Sequence, residues 1–272
     1  MRRRYEQLVT SHLQAAQALA SGIHAVPDAT RGFAATQAAH RFLNNERVSL
    51  KALAQPLIEA GCQAAAETCD RYLLVVHDWS QLMYPDHTSK RDRLELSSKH
   101  APEGYELQTA LLVSDRDGWP LAPAVLSLRS AEGVHCSRSW RVRPPLSPLD
   151  ELAPTMHYLE QQPWGRRLVH VIDAEADSVA HFREWSQTPQ RFFLVRADDR
   201  LVEHAGREQR CSALRDQQAF QLIRPVEYHG RRAEQWIAEV PVRLTRPGQR
   251  NRPGVGDFST GRPHFQILAD GI

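Results

Sequence analysis

The sequence predicts an α/β protein: a helical region over residues 1–70, a mixed-sheet core over 71–199 and a β-rich region over 200–272. Three observations predict it. In the first third apolar residues recur at helical spacing, as in Ala35, Ala38, Ala39, Phe42 and Leu43. At Tyr72 the character changes to short, nearly continuous apolar runs, the pattern of strands buried on both faces. From about residue 200 the pattern is irregular and β-like, with candidate strands at 219–228 and 234–244.

Each element has a local reason. Leu8, Leu13, Ala16 and Leu19 mark a helix over 5–20, which Pro27-Asp28 ends, and a second helix runs over 34–44 to Asn44-Asn45. Ser49 is placed to N-cap a third, with Leu50, Leu53, Leu57 and Ile58 as its buried face and Pro56 as a kink. Tyr72-Leu73-Leu74-Val75-Val76-His77 is the first strand. Two more, 107–114 and 121–128, are joined by Asp115-Arg116-Asp117-Gly118, a hairpin signal because glycine accepts the positive φ of such turns. Ser147-Pro148-Leu149-Asp150 opens a helix, with serine as N-cap and proline at the first helical position. A strand over 168–172, a helix marked by Val179, Phe182 and Trp185, and a strand over 191–195 follow. The Pro-, Gly- and Arg-rich stretch 246–263 has no periodicity and reads as a loop.

Composition excludes some classes. An apolar share of 42% and a charged share of 24% are those of a soluble globular protein, and a net charge of +2 does not by itself point to nucleic acid. Arginine far outnumbers lysine, which suits bidentate phosphate contacts and equally suits a GC-rich genome. The four cysteines form no CxxC pair, so free thiols in a reducing cytoplasm are expected. Cys62 and Cys69, seven apart, read as a packed pair on one helix face rather than as zinc ligands. No apolar run approaches the ~18 residues of a membrane span. Met1-Arg2-Arg3-Arg4 lacks the apolar stretch of a secretory signal.

The chemistry rests on two segments of one design, Leu74-Val75-Val76-His77-Asp78 and Val169-His170-Val171-Ile172-Asp173, each a buried strand ending in an aspartate. Carboxylates at neighbouring strand ends can share a hard divalent cation, Mg²⁺ or Mn²⁺, as two-metal phosphoryl transfer requires. Alone the pattern is equally that of turn-forming or N-capping acids. A strand ending in Asp, a hairpin, a helix and a second Asp-ended strand is, however, the element order of an RNase H-like core. In that fold the first and fourth strands are neighbours, so Asp78 and Asp173 would meet.

Val171-Ile172-Asp173-Ala174-Glu175-Ala176-Asp177, with Phe192-Phe193-Leu194-Val195-Arg196, resembles the segment around the second catalytic acid of bacterial cut-and-paste transposases of the insertion-sequence-four, or Tn-five-like, family. Ala35 to Asn45 resembles that family's N-terminal DNA-binding helix, and Leu73 to Asp78 the strand of its first acid, so the likeness spans about residues 30–200. The resemblance implies a DDE transposase. Asp78 and Asp173 would be catalytic metal ligands for Mg²⁺ or Mn²⁺, Arg196 and Arg41 would contact DNA, and the partner would be double-stranded DNA at transposon ends. Lys90, Arg91 and Arg93, in the loop after the first acid, would border the DNA channel or simply keep that loop soluble.

There are departures. Trp79-Ser80 stands where the family has small hydroxyl residues. Glu175 and Asp177 read as a first-turn acid and a helix N-cap rather than as ligands, and His77 and His170 as packed strand residues or, alternatively, as groups supporting the nearby acids. The family's third acid lies in a Tyr-Arg-Glu-Lys signature beyond a β-rich insertion, and neither this signature nor the helical dimerisation region is found before Ile272. The expectation is therefore a truncated core, inactive in cleavage by itself. Two alternatives stay open: a non-enzymatic inhibitor occupying DNA ends, and an unrelated α/β metal-dependent hydrolase. Arg231-Arg232 and the arginines of 246–252 would touch phosphate or be solvated.

Overall fold

The computed structural model describes residues 37, 38, 40–42, 44–96, 103–144, 147–228, 230–245 and 265–268. The helix expected over 5–20, Met1 to Arg4 and the 246–263 stretch lie outside them. Of the helix expected over 34–44, residues 37, 38 and 40–42 are helical.

Helix α1, Leu50–Thr68, starts where Ser49 places it: the serine hydroxyl accepts the Ala52 N–H at 3.1 Å. The helix continues through Pro56. Of the expected face Ile58 is buried, but its companions are Ala54, Gly61 and Ala65 rather than Leu50, Leu53 and Leu57, and Leu50 is 49% exposed. The reason is distance to the sheet: a Cβ on Gly61 would lie 2.6 Å from Leu112 Cδ1. Small residues let α1 approach where leucines would hold it away. Of the two cysteines expected to share a helix face, Cys62 is on α1 and half-buried, and Cys69 is the buried residue that caps it.

The fold is mixed α/β, built on a seven-stranded mixed sheet. Its strands are β1 Tyr72–Met83, β2 Leu94–Glu95, β3 Glu103–Ser114, β4 Pro120–Ser130, β5 Gly133–Cys136, β6 Arg167–Ile172 and β7 Phe192–Val195. The order is β5-β4-β3-β1-β6-β7, with β2 on β3. The β3–β4 hairpin is antiparallel to its neighbours, whereas β6 and β7 run parallel to β1. The hairpin turn has Gly118 at φ 76°, as Asp-Gly requires. Its Asp115 also clamps the start of β1, accepting the N–H groups of Asp70, Arg71 and Tyr72 at 2.7–2.9 Å. Burial would raise that carboxyl's pKa, but the backbone donors outweigh it and hold the value below the ordinary range.

Alternation along the strands gives the sheet two unlike faces. Leu73, Val75, Ala110 and Leu112 point inward and pack with Ile58 and Ala65 of α1. Further along, Ile172 and Phe193 pack with Leu152 and Met156 of helix α2, Leu152–Glu160, and with Phe182 and Trp185 of helix α3, Val179–Ser186. On the opposite face Leu74, Val76, Leu111, Val169 and Val171 are half-buried, Phe192 and Leu194 are exposed, and none belongs to a buried cluster.

The segment expected to begin a helix at Ser147 begins instead with a 3-10 turn, Pro148–Glu151, and the serine side chain makes no capping bond. Glu151 turns inward there. Only 4% of its side chain is exposed, and it pairs with Arg138 and with Arg143 at 3.3 Å. Glu151→Ala would strand two arginines in a partly dry site and is expected to cost about 3–5 kcal/mol in urea unfolding.

Beyond β7 three two-stranded sheets follow: β8 Leu201–His204 with β9 Arg207–Arg210, β10 Gln221–Tyr228 with β11 Arg231–Ile237, and β12 Glu239–Val242 with β13 Phe265–Leu268. The candidate strand at 234–244 is thus two strands in two different sheets. Val202, Val240 and Val242 form a separate small core with Leu214 of the short helix α4, Cys211–Arg215. No helix among the described residues is long and apolar enough to cross a membrane.

Candidate active site

Asp78 does not end its strand as expected; β1 continues to Met83. What ends is the pairing with β6, whose last rung is His77↔Ile172. Asp78 and Asp173 are thus the next residue on each of two adjacent parallel strands. Both lie on the half-exposed face and line one cavity of about 480 Å³ with Thr109, Leu111 and Arg196.

The two aspartates are held differently. Asp78 is exposed, and its β3 neighbour is Thr109. Asp173 caps the 3-10 turn Ala174–Ala176, its Oδ1 accepting the Glu175 N–H at 2.9 Å. That bond fixes the carboxylate's orientation. Glu175 feels both of its neighbours: burial first, then the charges of Asp173, Asp78 and Glu106, push its carboxyl above the usual range. The charges of four acids therefore converge here, and of these Glu106 is paired with Arg129 at 2.6 Å.

Arg196 follows β7, its N–H bonded to the Ile172 carbonyl at 3.1 Å, and it is the cation on the cavity wall. Asp177 is not the N-cap of α3; Ser178 holds that position. Its carboxylate, 2% exposed, pairs with Arg200 and accepts the Asp198 N–H at 2.7 Å, tying the loop after β7 to the turn after β6. Buried salt links of this kind hold a loop in place.

The other expected DNA contacts are not brought to this cavity. Lys90 lies over the Tyr84 ring at 5.4 Å and Arg91 is exposed. Arg93 is consumed structurally, donating to the carbonyls of Lys90 and Tyr84 at 2.7 Å and pairing with Glu103 at 2.5 Å. Arg41 is exposed on its helical segment, bonded to Gln37 at 3.4 Å. Arg231 and Arg232 are exposed on β11.

Sequence reading missed Thr109, because a cross-strand neighbour is defined by register, which no local pattern encodes. It also placed His77 and His170 as separately packed residues. Both are buried, but they meet: His77 Nε2 and His170 Nδ1 are 2.9 Å apart, beneath the acids on the inward face. Glu160 lies 3.6 Å from His170 Nε2, too long for a hydrogen bond, and is gripped by Arg191 at 2.6 and 2.7 Å.

Hard carboxylate oxygens and crowded negative charge fit Mg²⁺ or Mn²⁺ in kind. In number they fit only in part: among the described residues no group of three His, Cys, Asp or Glu is placed to hold a metal ion. Compared with known proteins, the chain matches no protein-family model and no curated sequence.

Proposed function

We propose that this chain carries the core of a DDE transposase of the insertion-sequence-four group, on an RNase H-like sheet, and binds double-stranded DNA at transposon ends without cleaving it by itself. The observation that carries the reading is the β1–β6 register, which sets Asp78 and Asp173 side by side on one cavity wall with Arg196. The adjacency of β1 and β6, the first and fourth strands of the element order read from the sequence, supports the same reading.

Asp78 and Asp173 would hold Mg²⁺ or Mn²⁺, which when bound supplies Lewis acidity toward a phosphodiester oxygen and an activated water or 3′-hydroxyl. The chain's own part is positioning. Asp173 is oriented by the Glu175 N–H, and the Arg196 guanidinium offers a forked donor to a phosphate. Occupation of DNA ends without cleavage is favoured by the shortage of a third ligand among the described residues.

Mn²⁺ binding followed by electron paramagnetic resonance, with strand nicking of a labelled inverted-repeat duplex, tests both. Asp78→Ala and Asp173→Ala are each expected to weaken Mn²⁺ binding at least tenfold, while the parent binds the duplex without nicking it. Unchanged Mn²⁺ affinity in both variants would overturn the site. Nicking by the parent that vanishes in Asp78→Ala would overturn the non-cleaving reading in favour of a working enzyme.

A further inference from the structure

At the opposite end of the sheet, where β1, β6 and β7 begin, a cleft of about 770 Å³ opens between the residues before β1 and the turns that lead into β6 and β7. Its charges do not balance. Both carboxylates are already paired, Asp70 with Arg116 at 2.8 Å and Glu160 with Arg191. Arg71 and Arg167 are exposed, and among the described residues neither takes part in an ion pair. They are brought together because Tyr72 and Arg167 are register partners across β1 and β6. Arg166 adds a third positive charge, its guanidinium bonded among the described residues to the carbonyls of Ala66, Cys69 and Gly165.

Aromatic surface accompanies the charge. Phe192 is 41% exposed on the cleft wall, and the Arg71 guanidinium lies 5.8 Å from the Tyr72 ring centre. Two left-handed residues shape the walls: Gly165 at φ 66° and Gln190 at φ 64°. Gln190 holds this conformation without being glycine, the kind of backbone strain that gathers at binding sites.

We infer that this cleft binds a single strand of nucleic acid, with phosphates on Arg71 and Arg167 and a base against Phe192. Guanidinium groups at the adjacent starts of β1 and β6, without ion pairs among the described residues, suit successive backbone phosphates, and an exposed ring offers a stacking platform that a base within a duplex cannot use. The volume greatly exceeds that of one phosphate ion. The inference does not rest on the Asp78–Asp173 reading, and the test separates them.

Fluorescence anisotropy of a short labelled oligo(dT), titrated with the full chain over a salt series, tests it. Arg71→Ala with Arg167→Ala is expected to weaken binding about tenfold or more. The same pair should flatten the slope of log affinity against log salt by about 1.4, because two phosphates of the single strand are then no longer neutralised. Phe192→Ala should cost about tenfold with the slope unchanged. The Arg71→Lys, Arg167→Lys pair keeps the salt slope and controls for folding, and Asp78→Ala with Asp173→Ala binds as the parent does. The inference is overturned if the parent does not bind the oligonucleotide, or if the arginine-to-alanine pair binds it like the parent. Displacement by submillimolar inorganic phosphate would overturn it by showing a free-anion site. Tighter binding of duplex through the same two arginines would also overturn it.

Discussion

Trp185→Ala is expected to cost about 3–5 kcal/mol of stability, as much as the loss of the buried Glu151. Trp185 is fully buried, with Phe193 edge-on to it at 5.3 Å and Phe182 at 6.0 Å, in the cluster that joins α2, α3 and β6. Ile172 belongs to that cluster and immediately precedes Asp173, so a cavity there loosens the end of β6. Chemical denaturation should show the midpoint fall, and the Mn²⁺ affinity of the folded fraction should fall with it. Trp185→Phe is the informative partner. It keeps most of the ring and removes an indole N–H that has no acceptor among the described residues, so it should cost much less. Equal losses for the two variants would refute packing as the source of the effect.

Acid destabilisation beginning near pH 6.5 is the second large expectation. Burial, and then the neighbouring His170 ring, hold His77 well below the ordinary imidazole value of 6.5. His170 is lowered mainly by burial, partly countered by Glu160. The geometry favours neutral rings with His77 Nε2–H donating to His170 Nδ1, because His170 Nε2–H then faces Glu160. The reverse assignment would bury the His77 Nδ1–H without an acceptor and turn a bare nitrogen toward the carboxylate.

Below pH 6.5 the unfolded chain binds protons on these histidines that the folded chain does not. Their contribution is therefore complete above that pH and falls as pH drops, by up to about 1.4 kcal/mol per pH unit for each ring. Urea unfolding between pH 5 and 7.5 should show this slope, and a His77→Leu, His170→Leu variant should flatten it. A slope that survives the double variant would assign the effect elsewhere. Glu160 acts in a lower window. Burial opposes its ionisation, but the Arg191 bonds outweigh it and hold the carboxyl at about 2, so its contribution is lost only as pH falls from 4.5 toward 2.

Much of the fold was legible because its signals are local. A buried strand needs a continuous apolar run, and β1 and β6 were found from theirs; a tight hairpin needs glycine at positive φ, and Gly118 marked it. Ser49 capped α1 because the capping bond reaches only three residues. The misreadings are of another kind. Of the buried face expected for α1, Ile58 is buried, but Ala54, Gly61 and Ala65 take the places expected for Leu50, Leu53 and Leu57, since what matters there is the closeness of the partner. Asp177 looked like an N-cap, and only the fold supplied the Arg200 that claims it.

The sequence by itself determined that two buried strands each lead into an aspartate, in an element order that a sheet can bring together. Only the tertiary structure decided what those aspartates face. Register places Asp78 and Asp173 one step beyond the last rung of a parallel pair, Thr109 opposite Asp78, and His77 against His170 on the inward side. Pairing between strands some ninety residues apart is set by the summed packing of whole faces. No short window of the chain contains that sum, so no local motif could state it.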